Sequence, residues 1–228
     1  MCIHGAGLNG SIWDDLKKEI KGDVLAVDFP NRMGGDANRD LEFTQYVNAV
    51  SQQIRNWQRK EFIIVAHSIG ALVALKVAEG FKSELKGLVA IASVVPKSGG
   101  SFASALPFPQ NVLLPPILGI LGTKPPDSSI RSSLCNDLDP TQTERIVTGF
   151  TPESKKLYTT KIDFSLPPIG KLFIKTTNDD LSETQQDRMA ANFGADSIVS
   201  LDSGHLPMLS RPQELAHALR EFIEQTQK

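Results

Sequence analysis

Cysteine is scarce: Cys2 and Cys135 are the only two in 228 residues, too few and too isolated for a disulfide framework or a zinc site. The four histidines, none paired at ligand spacing, argue further against a metal. No charge of one sign dominates. Net charge is −2 and the Lys and Arg residues are scattered, which removes the electrostatic case for nucleic acid or an anionic membrane. The longest apolar patch, Val112 to Leu121, is broken by Pro115-Pro116 and is too short to span a bilayer. The opening "MCIHGAGLNG" has neither a basic n-region nor a long apolar h-region, so no signal peptide is visible. Internal repeats and low-complexity tracts are missing as well. These absences leave a soluble, cytoplasmic domain, long enough to bury a proper core, of unspecified oligomeric state.

What is present is alternation. Met1 to His4 reads as a short strand running into the turn Gly5-Ala6-Gly7. Ser11 can cap a helix from Ile12 to Ile20, and Val24 to Val27 is a second strand ending at Asp28-Phe29-Pro30. A polar, glycine-containing loop precedes an amphipathic helix from about Thr44 to Trp57. Strands at Phe62–Val65 and Gly87–Ile91 bracket another helix. Strict alternation of this kind implies parallel strands with right-handed crossovers. It stops near Val95 and resumes with strand Leu172–Lys175, helix Glu183–Ala191, strand Ile198–Leu201 and a helix opened by Pro212. The expected organisation is therefore an α/β core over 1–95 and 169–228, a mostly parallel open sheet with helices on both faces. An apolar cap insertion over 96–168, with one convincing helix at about Pro140 to Gly149, covers one edge of the sheet.

The stretch "FIIVAHSIGALVAL", Phe62 to Leu75, sets Ser68 between two apolar runs. The first is β-branched and aromatic, as a strand buried on both faces requires. The second spaces Ile69, Leu72, Val73 and Val77 as a buried helix does. With almost no loop between them, strand and helix backbones nearly touch, so small residues are needed two before and two after the serine. Ala66 and Gly70 meet that need. A serine so placed is strained, with its hydroxyl pushed out above the sheet. The competing reading makes Ser68 an ordinary helix N-cap.

A serine nucleophile needs a base, a group to orient the base, and donors for an oxyanion. In an open α/β sheet these gather at the carboxyl ends of the strands. The last strand ends in "LDSGHLPMLSRP", with His205 beside Gly204, a residue that lets the loop approach other backbone closely. The strand before it ends in "LFIKTTNDDLSE", offering Asp179 or Asp180. The order serine, acid, histidine fits a strand–turn–helix nucleophile. Asp202 is a minor rival acid, and Asp28 reads as a turn residue. His67 cannot serve its own neighbour and is expected to pack or bond locally, and His217 is expected at the surface. For the oxyanion, the donors expected are the N–H of Ile69 and one from "HGAG", for which Ala6 is preferred.

"HGAG", "AHSIG", "NDD" and "SGHLPMLSRPQEL" stand in the order and rough spacing of the α/β-hydrolase superfamily's oxyanion loop, nucleophile elbow, acid and base. More narrowly the chain resembles the compact branch that includes plant methyl-ester esterases and hydroxynitrile lyases. The likeness runs from His4 to the C-terminal helix and is weakest in the insertion. It implies Ser68 as nucleophile, His205 as base, and Ala6 with Ile69 as oxyanion donors. Counting from the strand Leu172–Lys175 matches Asp179 as acid, with Asp180 in reserve, although the loop is one residue shorter than the family's. Ala66 replaces the usual glycine, and the very short first strand leaves open whether residues precede Met1. The lyases carry a lysine after the catalytic histidine, where this chain has Leu206, so cyanohydrin cleavage is disfavoured. Dehalogenases and epoxide hydrolases need an aspartate where Ser68 stands.

The function expected is a cofactor-free carboxylesterase acting on small to medium hydrophobic esters. Lactone or thioester hydrolysis uses the same constellation, and a slow-turnover binding protein could keep it. Within the insertion, Phe102, Leu106, Phe108, Val112, Leu113, Leu114, Ile117, Leu118 and Leu121 are expected either to cover the sheet edge or to form a lid over an apolar pocket.

Overall fold

Six parallel strands form one sheet in the computed structural model, which describes residues 1–32 and 37–226. They are Cys2–Ile3 (β1), Ala26–Val27 (β2), Phe62–His67 (β3), Leu85–Ile91 (β4), Gly170–Thr176 (β5) and Ser197–Leu201 (β6), in the order β2-β1-β3-β4-β5-β6. The glycines of the polar loop expected before the second long helix, Gly34 and Gly35, lie outside the described residues.

Helices flank both faces, as buried parallel strands require. Phe43–Trp57 (α2), Gly70–Ala78 (α3) and Glu183–Phe193 (α9) pack on one, where Ile64 and Ala66 of β3 meet Tyr46, Leu72 and Met189. On the other, Val65 and Val89 meet Leu16 of Asp14–Glu19 (α1) and Leu219 of Pro212–Thr226 (α11). Successive residues of β3 thus bury opposite sides, which explains its unbroken apolar run.

The start of α1 differs from expectation. Asn9, not Ser11, is the cap: its Oδ1 accepts the Ser11 N–H at 2.9 Å and opens a 3₁₀ turn, Gly10–Trp13, ahead of α1. Asn and Ser are nearly equal caps, so propensity could not separate them.

Between β4 and β5 lie Phe102–Ala105 (α4), Gln110–Leu121 (α5), Asp127–Ser129 (α6, continued as a π turn over Ile130–Leu134), Pro140–Gly149 (α7) and Lys155–Thr159 (α8). Only α7 is legible from the sequence, through Asp139, whose Oδ1 accepts the Thr141 and Gln142 N–H groups. α5 continues through Pro115 and Pro116, which the sequence pattern marks as a break. Both prolines remove ladder donors, but their fixed φ is compatible with a helix. Leu118 alone is buried in α5, so its apolar residues draw no one-sided stripe. An isolated antiparallel bridge between Gly100 and Ile162 ties the segment's two ends together. No helix among the described residues is long and apolar enough to cross a membrane.

Candidate active site

The chain turns from β3 into α3 at Ser68, whose φ is +54°. That left-handed conformation is unfavourable for a serine and survives only where the surroundings fix it. Here the Ser68 N–H donates to the Ile91 carbonyl at the end of β4, 3.0 Å away. Ile69 occupies the N-cap position of α3, with no side-chain cap bond, so Ser68 is not an N-cap. The close approach expected around the serine is present at Gly70, where an added Cβ would lie 2.5 Å from the His4 carbonyl oxygen. That oxygen is backbone and cannot move aside.

His205 lies in the turn between β6 and the short helix Pro207–Ser210 (α10). Its Nδ1–H donates to Asp179 Oδ2 at 2.7 Å. The same oxygen accepts the Thr176 hydroxyl at 2.9 Å, and Oδ1 accepts the Leu181 N–H at 3.1 Å. The Asp179 side chain is only 3% exposed and that of His205 11%. Burial by itself would raise the Asp179 pKa. The charge of His205 and the three hydrogen bonds outweigh it and bring the group down to about 2. For His205, burial works against the charged ring, but the Asp179 carboxylate prevails and lifts the pKa above its ordinary value. With Nδ1 protonated and bonded, the lone pair of the neutral ring is on Nε2.

Gln186 on α9 holds the ends of the loop that carries Asp179. It is fully buried, accepts the Thr176 N–H at 3.0 Å, and donates to the Thr176 and Leu181 carbonyls, each at 2.8 Å. Neither Gln186 nor Thr176 stands out in the sequence. A threonine three residues before an acidic candidate is the one signal that could have singled out Asp179 from its rivals.

The rivals separate cleanly. Asp180 lines the cavity beside Ser68 and makes no bond to His205. Asp202 Oδ1 accepts from Thr177 and Asn178 instead. Asp28 receives the Gly10 N–H at 2.6 Å, a turn role. His217 is exposed, facing Glu221. His67 reaches farther than expected: its Nε2–H donates at 2.9 Å to the carbonyl of His205, 138 residues along the chain, and the two rings meet edge to face. Burial, then the neighbouring His205, holds His67 well below its ordinary pKa and therefore neutral.

Ser68, Asp179, His205 and Ala6 line one cavity of ≈ 340 Å³. Most of its remaining wall is apolar, with Phe102, Leu106, Ile130, Leu134, Phe150 and Tyr158 supplied by the segment between β4 and β5. Of the nine apolar residues expected at a lid, only Phe102 and Leu106 reach it, whereas Phe108 is 81% exposed. Gly5 backs onto the serine: a Cβ there would lie 3.0 Å from Ser68 Cβ. The N–H groups of Ala6 and Ile69 donate to no protein acceptor among the described residues. A larger hollow of ≈ 670 Å³, lined by Met1, Trp57, Phe62 and Phe222, holds neither Ser68 nor His205. Among the described residues no group of three or more His, Cys, Asp or Glu side chains is arranged to hold a metal.

A family model described as "Alpha/beta hydrolase family" matches residues 1–218. The chain belongs to that family. No curated protein matches this alpha/beta hydrolase in sequence. Solved structures similar to it include an extracellular alpha/beta-hydrolase from a Paenibacillus species, said to share structural and functional homology with tobacco Salicylic Acid Binding Protein 2. The two are 19% identical over 96% of each chain, with a TM-score of 0.84. Polyneuridine aldehyde esterase is 17% identical, over 97% of this chain and 98% of its own, at a TM-score of 0.77. The methylesterase MES16 from Arabidopsis is 18% identical over 98% of both, at 0.76. The branch whose motifs the sequence resembles is thus represented among its structural neighbours, and at these identities the likeness is one of fold.

Proposed function

We propose that this alpha/beta hydrolase is a serine carboxylesterase for small to medium hydrophobic esters. The observation that carries the reading is the 2.7 Å bond between His205 and Asp179, opening on the same apolar cavity as a serine at φ +54°. His205 Nε2 takes the Ser68 proton as Oγ attacks the ester carbonyl. Asp179 holds the tautomer and stabilises the imidazolium that results. The negative charge that develops on the carbonyl oxygen is met by the N–H groups of Ala6 and Ile69, which have no other acceptor among the described residues. When the tetrahedral adduct collapses, the C–O bond to the alcohol breaks and the imidazolium gives its proton to the leaving oxygen. Water then enters, His205 takes its proton, and attack on the acyl-enzyme releases the acid and restores Ser68.

Residues 96–168 act as the cap of this site and 1–95 with 169–228 as its core. Phe102, Phe150 and Tyr158 in the cavity wall support a hydrophobic or aromatic acyl group as substrate. Leu206, after His205, does not supply the ammonium that cyanohydrin chemistry uses. Both cysteines are unpaired thiols, which suits the reducing cytoplasm.

Hydrolysis of p-nitrophenyl esters from acetate to decanoate, by the wild type and by Ser68→Ala, tests the reading. Turnover is expected in the wild type and not in the variant, with the chain-length optimum sizing the cavity. A folded Ser68→Ala that retains the wild-type rate would overturn it. A wild type that binds esters tightly without releasing product would make the chain a binding protein.

A further inference from the structure

The segment between β4 and β5 does more than wall the cavity. In the turn ahead of α7, Asp137 Oδ2 accepts the Gly204 N–H at 2.6 Å, and the neighbouring Asn136 donates its Nδ2–H to the Asn178 carbonyl at 2.6 Å. Asn178 and Gly204 immediately precede Asp179 and His205. One dipeptide therefore grips the backbone one residue before the acid and one residue before the histidine. The grip is close enough to forbid a side chain at position 204. A Cβ there would strike Asn136 Oδ1 and lie 2.5 Å from Asp137 Oδ1. From sequence, Gly204 is expected to admit other backbone, and what it admits is this pair of side chains.

Local structure does not account for Asp137. The cap of α7 is Asp139, two residues on, which already takes the Thr141 and Gln142 N–H groups. Asp137 Oδ1 is buried and has no hydrogen-bond partner among the described residues. A carboxylate that satisfies only one of its oxygens is a poor way to stabilise a turn, because an unsatisfied buried acceptor is destabilising. Its remaining oxygen makes a short, charge-assisted bond to the loop that carries His205.

We propose that Asp137 is a positioning residue: acting through the Gly204 N–H, it fixes the His205 loop so that the imidazole stays in register with Asp179. The inference rests on the esterase reading for its kinetic consequence and on the loop geometry alone for its structural one.

Asp137→Ala and Asp137→Asn test it, with two readings on each intact protein. One is steady-state hydrolysis of the p-nitrophenyl ester that the wild type cleaves best. The other is the low-field proton resonance of His205 Nδ1–H, assigned by its loss in His205→Ala. Asp137→Ala is expected to lower kcat about tenfold to a hundredfold with KM nearly unchanged, and to shift or broaden that resonance. Asp137→Asn keeps an acceptor for Gly204 and is expected to recover most of both. Wild-type kcat and an unmoved resonance in Asp137→Ala would overturn the proposal, as would an Asn variant no better than the Ala one. Should Asp137→Ala not fold by circular dichroism, Asp137→Ser, too short to reach Gly204, carries the same readings. A wild type that shows the resonance but cleaves no ester overturns the esterase reading alone, and the resonance in the variants then decides the brace.

Discussion

Thr176 and His205 donate to the same oxygen of Asp179, the hydroxyl at 2.9 Å and the imidazole Nδ1–H at 2.7 Å. Two donors converging on one oxygen, with Leu181 N–H on the other, fix the carboxylate in plane and rotation. The histidine is thereby oriented by a group that is itself oriented.

The pH dependence follows with a definite sign. On the proposed esterase mechanism turnover needs His205 neutral, so kcat/KM is expected to rise with pH through a value above the ordinary 6.5. Asp179→Asn removes the charge that lifts it, so the acid limb should move to lower pH while kcat falls on the order of 10⁴-fold. Stability runs by the same linkage. The depressed pKa of Asp179 contributes stability that is complete above the usual carboxylate value and is lost as pH falls through about 2. The raised pKa of His205 contributes stability that is complete below 6.5 and is lost as pH rises through its folded value. Rate profiles and urea melts across pH, for the wild type and Asp179→Asn, read both.

Substrate size should depend on Phe102 and not on Phe108. Phe102 lines the cavity and meets Tyr158 edge to face, whereas Phe108 stands 81% exposed. Phe102→Ala is expected to shift the optimum of the p-nitrophenyl series toward longer acyl chains, raising KM about tenfold for the shorter ones. Phe108→Ala should leave the profile where it was. Equal effects from the two variants would contradict this cavity wall.

Glu153 should be a weak point of the fold. Its fully buried carboxylate receives Arg32 on both oxygens, at 2.8 and 2.9 Å, and also accepts the Gly7 N–H at 3.3 Å. Arg32 in turn donates to the Leu8 carbonyl at 2.8 Å. Glu153→Ala leaves the arginine without its charge partner and frees the loop that carries Ala6. A loss of roughly 3–5 kcal/mol in denaturant melts is expected, with kcat reduced in whatever fraction folds. Arg32→Met with Glu153→Leu should regain part of that stability.

The turn at Ser68 was legible from a buried strand, a buried helix, and small residues at 66 and 70 that leave little choice of backbone between them. Asp179 was reachable by counting from a strand end, since β5 is pinned by its neighbours on both sides. The roles of Gln186, Asp137 and Glu153 were not legible. Each satisfies a backbone N–H elsewhere in the fold, from 10 residues away for Gln186 to 67 for Asp137 and 146 for Glu153. Polar residues at such separations carry no periodic signature. α5 was hidden for a different reason: two prolines and apolar residues on all sides defeat any pattern that depends on one wet face.

β6 is an edge strand held by β5 alone, so the contact of His205 with Asp179 hangs on a single strand pairing. The Ser68 turn is held by the Ile91 carbonyl at the end of β4 and packs on His4 after β1, all toward the middle of the sheet, whereas His205 reaches Asp179 only when β6 has docked on β5. A refolding chain can therefore bury most of its core, and regain its helical dichroism, while still chemically inert. Recovery of turnover after dilution from denaturant would then clock the seating of the sheet's final strand rather than the collapse that precedes it.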